Sequence, residues 1–284
     1  MLRPLTGPLW AFDAEWIPDP RAGRLLYKLP AETDEAEVMA EMWRQGGATT
    51  ENPRPYLKTA LCRLVSVAAV VRTQDRNGQP TITMASLPNP PHDVARHSER
   101  EVVERFLHAL GRDKPVLVGF NSLAADIRIL VQRGVILGLR AADFCARPRK
   151  PWEGVDYLAR GSDWNIDLRD LLSPGFGPGT PSLHEMAVQC GIPGKMDVDG
   201  QQVPDLWLAG RLNKIVSYNE FDALTTYLLW LRLAHFSGLF STAQYEVEQQ
   251  AVEAFLIHEG EREGGRPHFL EYRRAWEQLR VAGV

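Results

Sequence analysis

Cysteine is scarce in this 284-residue chain, and neither an excess of basic charge nor a long apolar run is present. Cys62, Cys145 and Cys190 are too few and too scattered for a disulfide framework or a paired-cysteine metal knuckle. A reducing compartment, the cytoplasm by default, is expected. The 32 Lys and Arg residues against 36 Asp and Glu leave a net charge of −4, so no global basicity draws in a polyanion. Any nucleic acid would have to be held locally. The opening stretch MLRPLTGPLW lacks the apolar centre of a secretory signal, and no segment approaches the roughly 20 apolar residues that cross a bilayer. No membrane partner is expected, and no internal repeat or low-complexity tract is visible.

What is present is ordinary globular material. Hydrophobic residues make up 44% and charged residues 24%, which excludes a disordered or fibrous chain. The length suits one elaborated α/β domain with a helical appendage. Strand-like runs occur at LWAFDAEW, ALCRLVSVAAVVRT and TITMASL, and the turn signal DRNGQP makes a hairpin of the last two. Residues 17–58 form a polar insertion between the first two strands, with a helix predicted at TDEAEVMAEMW and a Pro-rich NPRPY, expected to be a surface excursion. Val102, Val103, Phe106, Leu107 and Leu110 recur at helical spacing, followed by the apolar strand PVLVGF and a helix over SLAADIRILVQRG. Further on, Ser182 and Glu185 make a capping box, KIVSYNEFDALTTYLLWLRLAHF is a long helix, and two more helices flank EGGRP. Strands followed by alternating helices and strands predict a mixed α/β sheet with helices on its faces. Residues 1–240 are expected to form this domain, and 241–284 a C-terminal helical extension.

Three segments carry acids where a core is expected. On a strand, residues i and i+2 share a face with Cα atoms about 6.5–7 Å apart, so Asp13 and Glu15 point the same way. Such a triplet arises about once by chance in a chain of this length. On a core-like strand, however, two carboxylates need a partner or a cation. Asp126 falls on the flank of a helical stripe formed by Leu123, Ile127, Leu130 and Val131, a position open to an amphipathic boundary or to a functional acid. Tyr218 and Asp222, four residues apart, share one helix face with Ile215 and Leu229; Tyr218 there either edges a core or serves a site.

In this order, D-x-E on a strand, N-x4-D after a strand and Y-x3-D on a helix resemble the three exonuclease motifs of the DnaQ-like (DEDD) 3′-to-5′ exonucleases. The tyrosine subgroup, DEDDy, is nearest, since the histidine type would place His where Ser217 stands. CGIPGKMDVDGQQV followed by YNEFDALTTYLLWLR is similar to predicted exonucleases related to the exonuclease domain of family B DNA polymerases, and the likeness spans roughly Leu9 to Leu233. It implies an RNase H-like fold, with Asp13, Glu15, Asp126 and Asp222 holding two Mg²⁺ or Mn²⁺ ions. Tyr218 would orient or help deprotonate the attacking water, and Asn121 and Lys195 would contact substrate. Where the polymerase relatives carry an aromatic before the second-motif Asp, this chain has Ala125.

The expected activity is a two-metal-ion 3′-to-5′ exonuclease releasing nucleoside monophosphates from single-stranded 3′ ends, DNA favoured. An RNA-directed exonuclease and a non-catalytic nucleic-acid or partner-binding module remain alternatives. Four carboxylates without His or Cys suit hard, oxygen-seeking cations, and those cations would draw the scissile phosphate in place of a basic surface. Arg147, Arg149 and Lys150 in ARPRK form either a backbone-steering cluster or a solvated loop. Asp197–Gly200 makes a poor calcium loop, because Lys195 and Leu206 would stand at its first and last ligand positions. Asp167 is expected to fix a local turn or helix start. Through the C-terminal extension the chain would self-associate or dock a replication or DNA repair partner.

Overall fold

The computed structural model describes residues 2–5, 7–89, 98–150, 152–159, 161–173, 177, 179–196 and 199–281. Five strands, β1 (Leu9–Pro18), β2 (Cys62–Gln74), β3 (Pro80–Leu87), β4 (Val116–Gly119) and β5 (Asn165–Asp167), form one sheet in the order β3-β2-β1-β4-β5. The β1–β2 and β2–β3 pairs are antiparallel, while β1–β4 and β4–β5 are parallel. Helices α1 (Pro20–Tyr27), α2 (Glu35–Gln45), α3 (Glu99–Asp113), α4 (Asp126–Ile136), α5 (Ala142–Cys145) and α6 (Leu168–Leu172) come in the first part of the chain. They are followed by α7 (Leu183–Gln189), α8 (Val203–Leu208), α9 (Leu212–Phe236), α10 (Thr242–Glu261) and α11 (His268–Val281). The expected mixed sheet flanked by helices, with a C-terminal helical extension, is observed. Among the described residues no helix is long and apolar enough to cross a membrane.

Alternation along β1 divides the core. Leu9 and Ala11 join Ala68, Val70 and Val118 under α9, while Trp10, Phe12 and Ala14 join Val67, Ala69 and Leu117 under α3 and α4. All five apolar positions that mark the α3 stripe are buried. Helix α9 is buried nearly all round, as expected of a helix sandwiched between a sheet and further helices. On its far side α10 and α11 bury Tyr245, Val252, Phe255, Phe269, Tyr272 and Trp276 in the same core. An ion pair deep in this layer joins Arg72 of β2 to Glu248 of α10, and the Tyr227 hydroxyl donates to Glu248 at 3.0 Å.

Two elements differ from the sequence expectation. The segment 17–58 is no mere surface excursion: β1 runs on to Pro18, Asp19 caps α1, and Val38, Met39 and Met42 of α2 are wholly buried. Arg133, itself buried, holds this segment by bonding Asp19 at 2.9 Å and Glu99 of α3 through two bonds of 2.6 Å. Helix α4 begins at Asp126 rather than Ser122, so Leu123 lies outside it. The cause is a distant carboxylate. Asp167 accepts the Asn121 N–H at 2.8 Å and the Leu123 N–H at 3.0 Å, holding the chain in a turn with Asn121 at φ 67°. Gly119 permits the fold-back, since a Cβ there would meet the Ser122 Cβ at 2.4 Å.

Candidate active site

Asp13 and Glu15 continue the face of β1 that carries Leu9 and Ala11, so both meet α9. Strand β4 pairs with β1 only as far as Ala11, leaving the next stretch of that edge open. Asp126, first residue of α4, fills it: its Oδ1 accepts the Ala14 N–H at 3.1 Å. From the opposite element Tyr218 and Asp222 face inward, one turn apart on α9. Ligand oxygens of Asp13, Glu15 and Asp222 lie within 4.8 Å of one another, the one such group of acids among the described residues. Asp126 stands to one side of these three, close enough that its charge and that of Asp13 oppose each other.

Burial and mutual repulsion dominate the electrostatics. Desolvation, then the charges of Asp126, Glu15 and Asp222, raise Asp13 well above the ordinary carboxylate range. Glu15 is raised in the same way, by burial first and then by Asp222 and Asp126. Burial pushes Asp126 up to about 7 and Asp222 up to about 6, although the Tyr218 hydroxyl and Lys195 favour the charged form of Asp222. Tyr218, buried beside these acids, has its phenol raised far above its ordinary value, by desolvation first and then by Glu15 and Asp222. It stays protonated beside Asp222. Four acids clustered below the surface are costly unless something positive joins them. An all-oxygen donor set without His or Cys fits a hard divalent cation, with Asp13, Glu15 and Asp222 as its nearest holders and Asp126 adjoining.

A cavity of about 390 Å³ opens over Asp13, Glu15, Tyr218 and Asp222. Lys195 lines it and pairs with Asp199, which caps the turn at Gly200–Gln202. Its backbone N–H donates to His184 Nδ1 at 2.9 Å. Asn121 is placed differently: its carboxamide oxygen accepts from Arg169 at 2.8 Å, and it does not line the cavity. Asp167 caps α6 as well as clamping the turn before Asp126, the local fixing role expected of it. Arg147 pairs with Asp156 at 2.9 Å and Lys150 with Glu153 at 3.6 Å, both away from the cavity. Asp197 of the weak calcium-loop motif lies outside the described residues.

Sequence reasoning missed Asn219. Fully buried, it donates from Nδ2 to Asp13 at 2.7 Å and accepts the Ser66 hydroxyl at 3.0 Å. Ser66 lies directly opposite Glu15 on β2. A lone serine inside the apolar run LVSVAAVV was the available signal. The second omission was the wall contributed by the insertion, where Trp43, Arg54 and Tyr56 line the cavity.

A family model described as "Predicted 3'-5' exonuclease related to the exonuclease domain of PolB" matches residues 54–276. The chain belongs to this family. The matched span holds Asp126, Tyr218 and Asp222 and runs into α11, whereas Asp13 and Glu15 precede it and join the site through the fold. Among solved structures, the family B DNA polymerase from the hyperthermophilic archaeon Pyrobaculum calidifontis is similar at 16% identity, with a TM-score of 0.45 over 90% of this chain. The chain spans 29% of that polymerase. No curated protein matches the sequence.

Proposed function

We propose that this member of the exonuclease family is a metal-dependent 3′-to-5′ exonuclease of the DEDDy type, acting on single-stranded 3′ ends, DNA in preference to RNA, and releasing nucleoside monophosphates. The observation that carries it is the convergence of Asp13, Glu15 and Asp222 within 4.8 Å, with Asp126 alongside and Tyr218 one turn from Asp222 in the same cavity. Together the four acids would hold two Mg²⁺ or Mn²⁺ ions. When bound, such a pair supplies charge stabilisation for the attacking and leaving oxygens of a phosphodiester.

The chain's own groups do the rest. Asn219 holds Asp13 in one rotamer through its 2.7 Å bond, as a supporting residue does for a ligand. Asp126 is held beside the other acids by the Ala14 N–H and by the turn that Asp167 clamps. Tyr218, protonated and buried, is suited to orient a water by hydrogen bonding rather than to take its proton. Lys195, exposed on the cavity wall, offers a cation to a phosphate once released from Asp199.

The test is Mg²⁺-dependent shortening of 5′-labelled single-stranded oligonucleotides, DNA and RNA side by side, by wild type and Asp13→Ala. Stepwise loss from the 3′ end is expected, with the substitution removing roughly a thousandfold or more of the rate. Equal rates for the two proteins, or no cleavage with any divalent cation, would contradict the proposal. Faster loss of RNA would reassign the substrate and leave the chemistry intact.

A further inference from the structure

The wall of the cavity opposite the acids is built by the 17–58 insertion, and its aromatic residues differ in availability. The face of Trp43 is covered by the Arg54 guanidinium, 4.9 Å from the ring centroid. Arg54 is in turn pinned across the cavity by two 2.8 Å bonds to Asp205 and one of 2.8 Å to the Gln201 carbonyl. Tyr218 is buried beside Asp222. Tyr56 is otherwise: it lines the same cavity and is 69% exposed. Trp16 supports it edge-on, at 6.5 Å between centroids and 89° between planes.

Trp16 lines the cavity where the pairing of β1 with β2 becomes irregular. Ser66 opposes Glu15 but Leu64 opposes Trp16, leaving Val65 as the extra residue of a β-bulge. Alternation along β1 is kept: Trp16 packs on the face of Trp10, Phe12 and Ala14 while Ile17 joins α9, and the cavity reaches round the strand so that both Glu15 and Trp16 line it. At the position just before Asp126, Ala125 is 3% exposed and presents no ring. An exposed tyrosine alone is unremarkable on a protein surface. This one stands on a braced wall, sharing with Asp13, Glu15 and Asp222 a cavity at the small end of the range for ligand sites, about 300–1,000 Å³, with room for a nucleotide and not for a duplex.

Resting on the nuclease function proposed above, we infer that Tyr56, supported by Trp16, is the platform on which the 3′-terminal base of a single strand stacks while its phosphate meets the acid cluster. Stacking needs only the face of a ring and tolerates every base. The insertion thereby selects unpaired ends, because a base still stacked and paired in a duplex cannot lie on Tyr56.

The experiment uses the full-length protein with Tyr56→Ala and Tyr56→Phe, at an exposed position where substitution leaves the core untouched; unchanged melting curves confirm this. Two short oligodeoxynucleotides serve as probes, one ending in 3′ 2-aminopurine and the other in a 3′ abasic residue. Binding is followed by fluorescence in Ca²⁺ and in EDTA, and hydrolysis in Mg²⁺. Tyr56→Ala is expected to weaken binding of the base-ended strand by about 5- to 150-fold, the worth of one base–aromatic stack, and to raise its KM more than it lowers kcat. Tyr56→Phe should bind as wild type, and the abasic strand should not distinguish the three proteins. Equal affinity of wild type and Tyr56→Ala for the base-ended strand, or an equal loss for both strands, would overturn the platform while leaving the nuclease intact. Tyr56-dependent binding without hydrolysis would keep the platform and remove the nuclease. No binding of either strand by wild type would overturn both.

Discussion

Asn219 and Asp167 act on the site without belonging to the acid cluster. Asn219→Ala would leave the Asp13 carboxylate and the Ser66 hydroxyl without a buried partner, and supporting residues of this kind alter metal affinity about 10- to 100-fold. A loss of that size in Mn²⁺ affinity, measured by titration calorimetry on a protein that still melts cooperatively, is the expected outcome. Asp167→Ala would strip the Asn121 and Leu123 N–H groups of their acceptor together with the α6 cap, costing about 1–3 kcal/mol in a urea titration. An unchanged midpoint would show that the turn before Asp126 holds itself. That Asp13, Glu15, Asp126, Tyr218 and Asp222 come together was legible because residue type, spacing and order coincide in three segments. Asn219 was not legible, since its role depends on Ser66 and Asp13, far from it in the chain. Nor did the sequence disclose that Asn121 is engaged by Arg169.

At the level of elements, strand alternation and the α3 stripe could be read directly, because each element buries one face against a single neighbour. Helix α1 went unread: only Pro20 and Gly23 of its residues are buried, so no apolar stripe marks it, and the cap comes from Asp19 at the end of the strand. The start of α4 was misjudged because apolar periodicity continues through Leu123, while the turn is imposed by Asp167 from the neighbouring strand. The burial of α2 depends equally on distant partners. Helices α10 and α11 spend their apolar faces on the core they share with α9. Glu248→Ala would leave the Arg72 charge buried and uncompensated, a loss of about 3–5 kcal/mol, visible as a lowered melting temperature. A chain ending at residue 240 would lose Tyr245, Phe255, Phe269 and Tyr272 from the same layer and should not fold cooperatively.

For the whole molecule, the acid cluster makes cation-free stability depend on pH in a definite direction. Asp126 and Asp222 titrate at about 7 and about 6 in the folded chain against an ordinary 3.8, and Asp13 and Glu15 are raised too. Between these limits the folded state binds more protons than the unfolded one. The contribution of these groups is therefore fully present below about pH 4 and is lost as pH rises through about 6–7. In EDTA the wild-type urea midpoint should fall relative to that of Asp126→Asn between about pH 5 and about pH 8. Mn²⁺ should reverse the trend, because the same acids must lose their protons to bind it. At a hundred times its Kd the ion adds about 2.7 kcal/mol. With such an ion bound, a chain of net charge −4 would acquire positive charge where its strands and α9 meet, not over its surface.

The most direct measurement is Mn²⁺ titration calorimetry of wild type and Asp222→Asn near pH 7.5, repeated in two buffers of different ionisation enthalpy. Saturable binding with proton release is expected for wild type, with both signals lost or weakened at least about tenfold in the variant. Binding indifferent to the substitution, or no binding at all, would mean that β1, α4 and α9 bring their acids together for some purpose other than holding a cation.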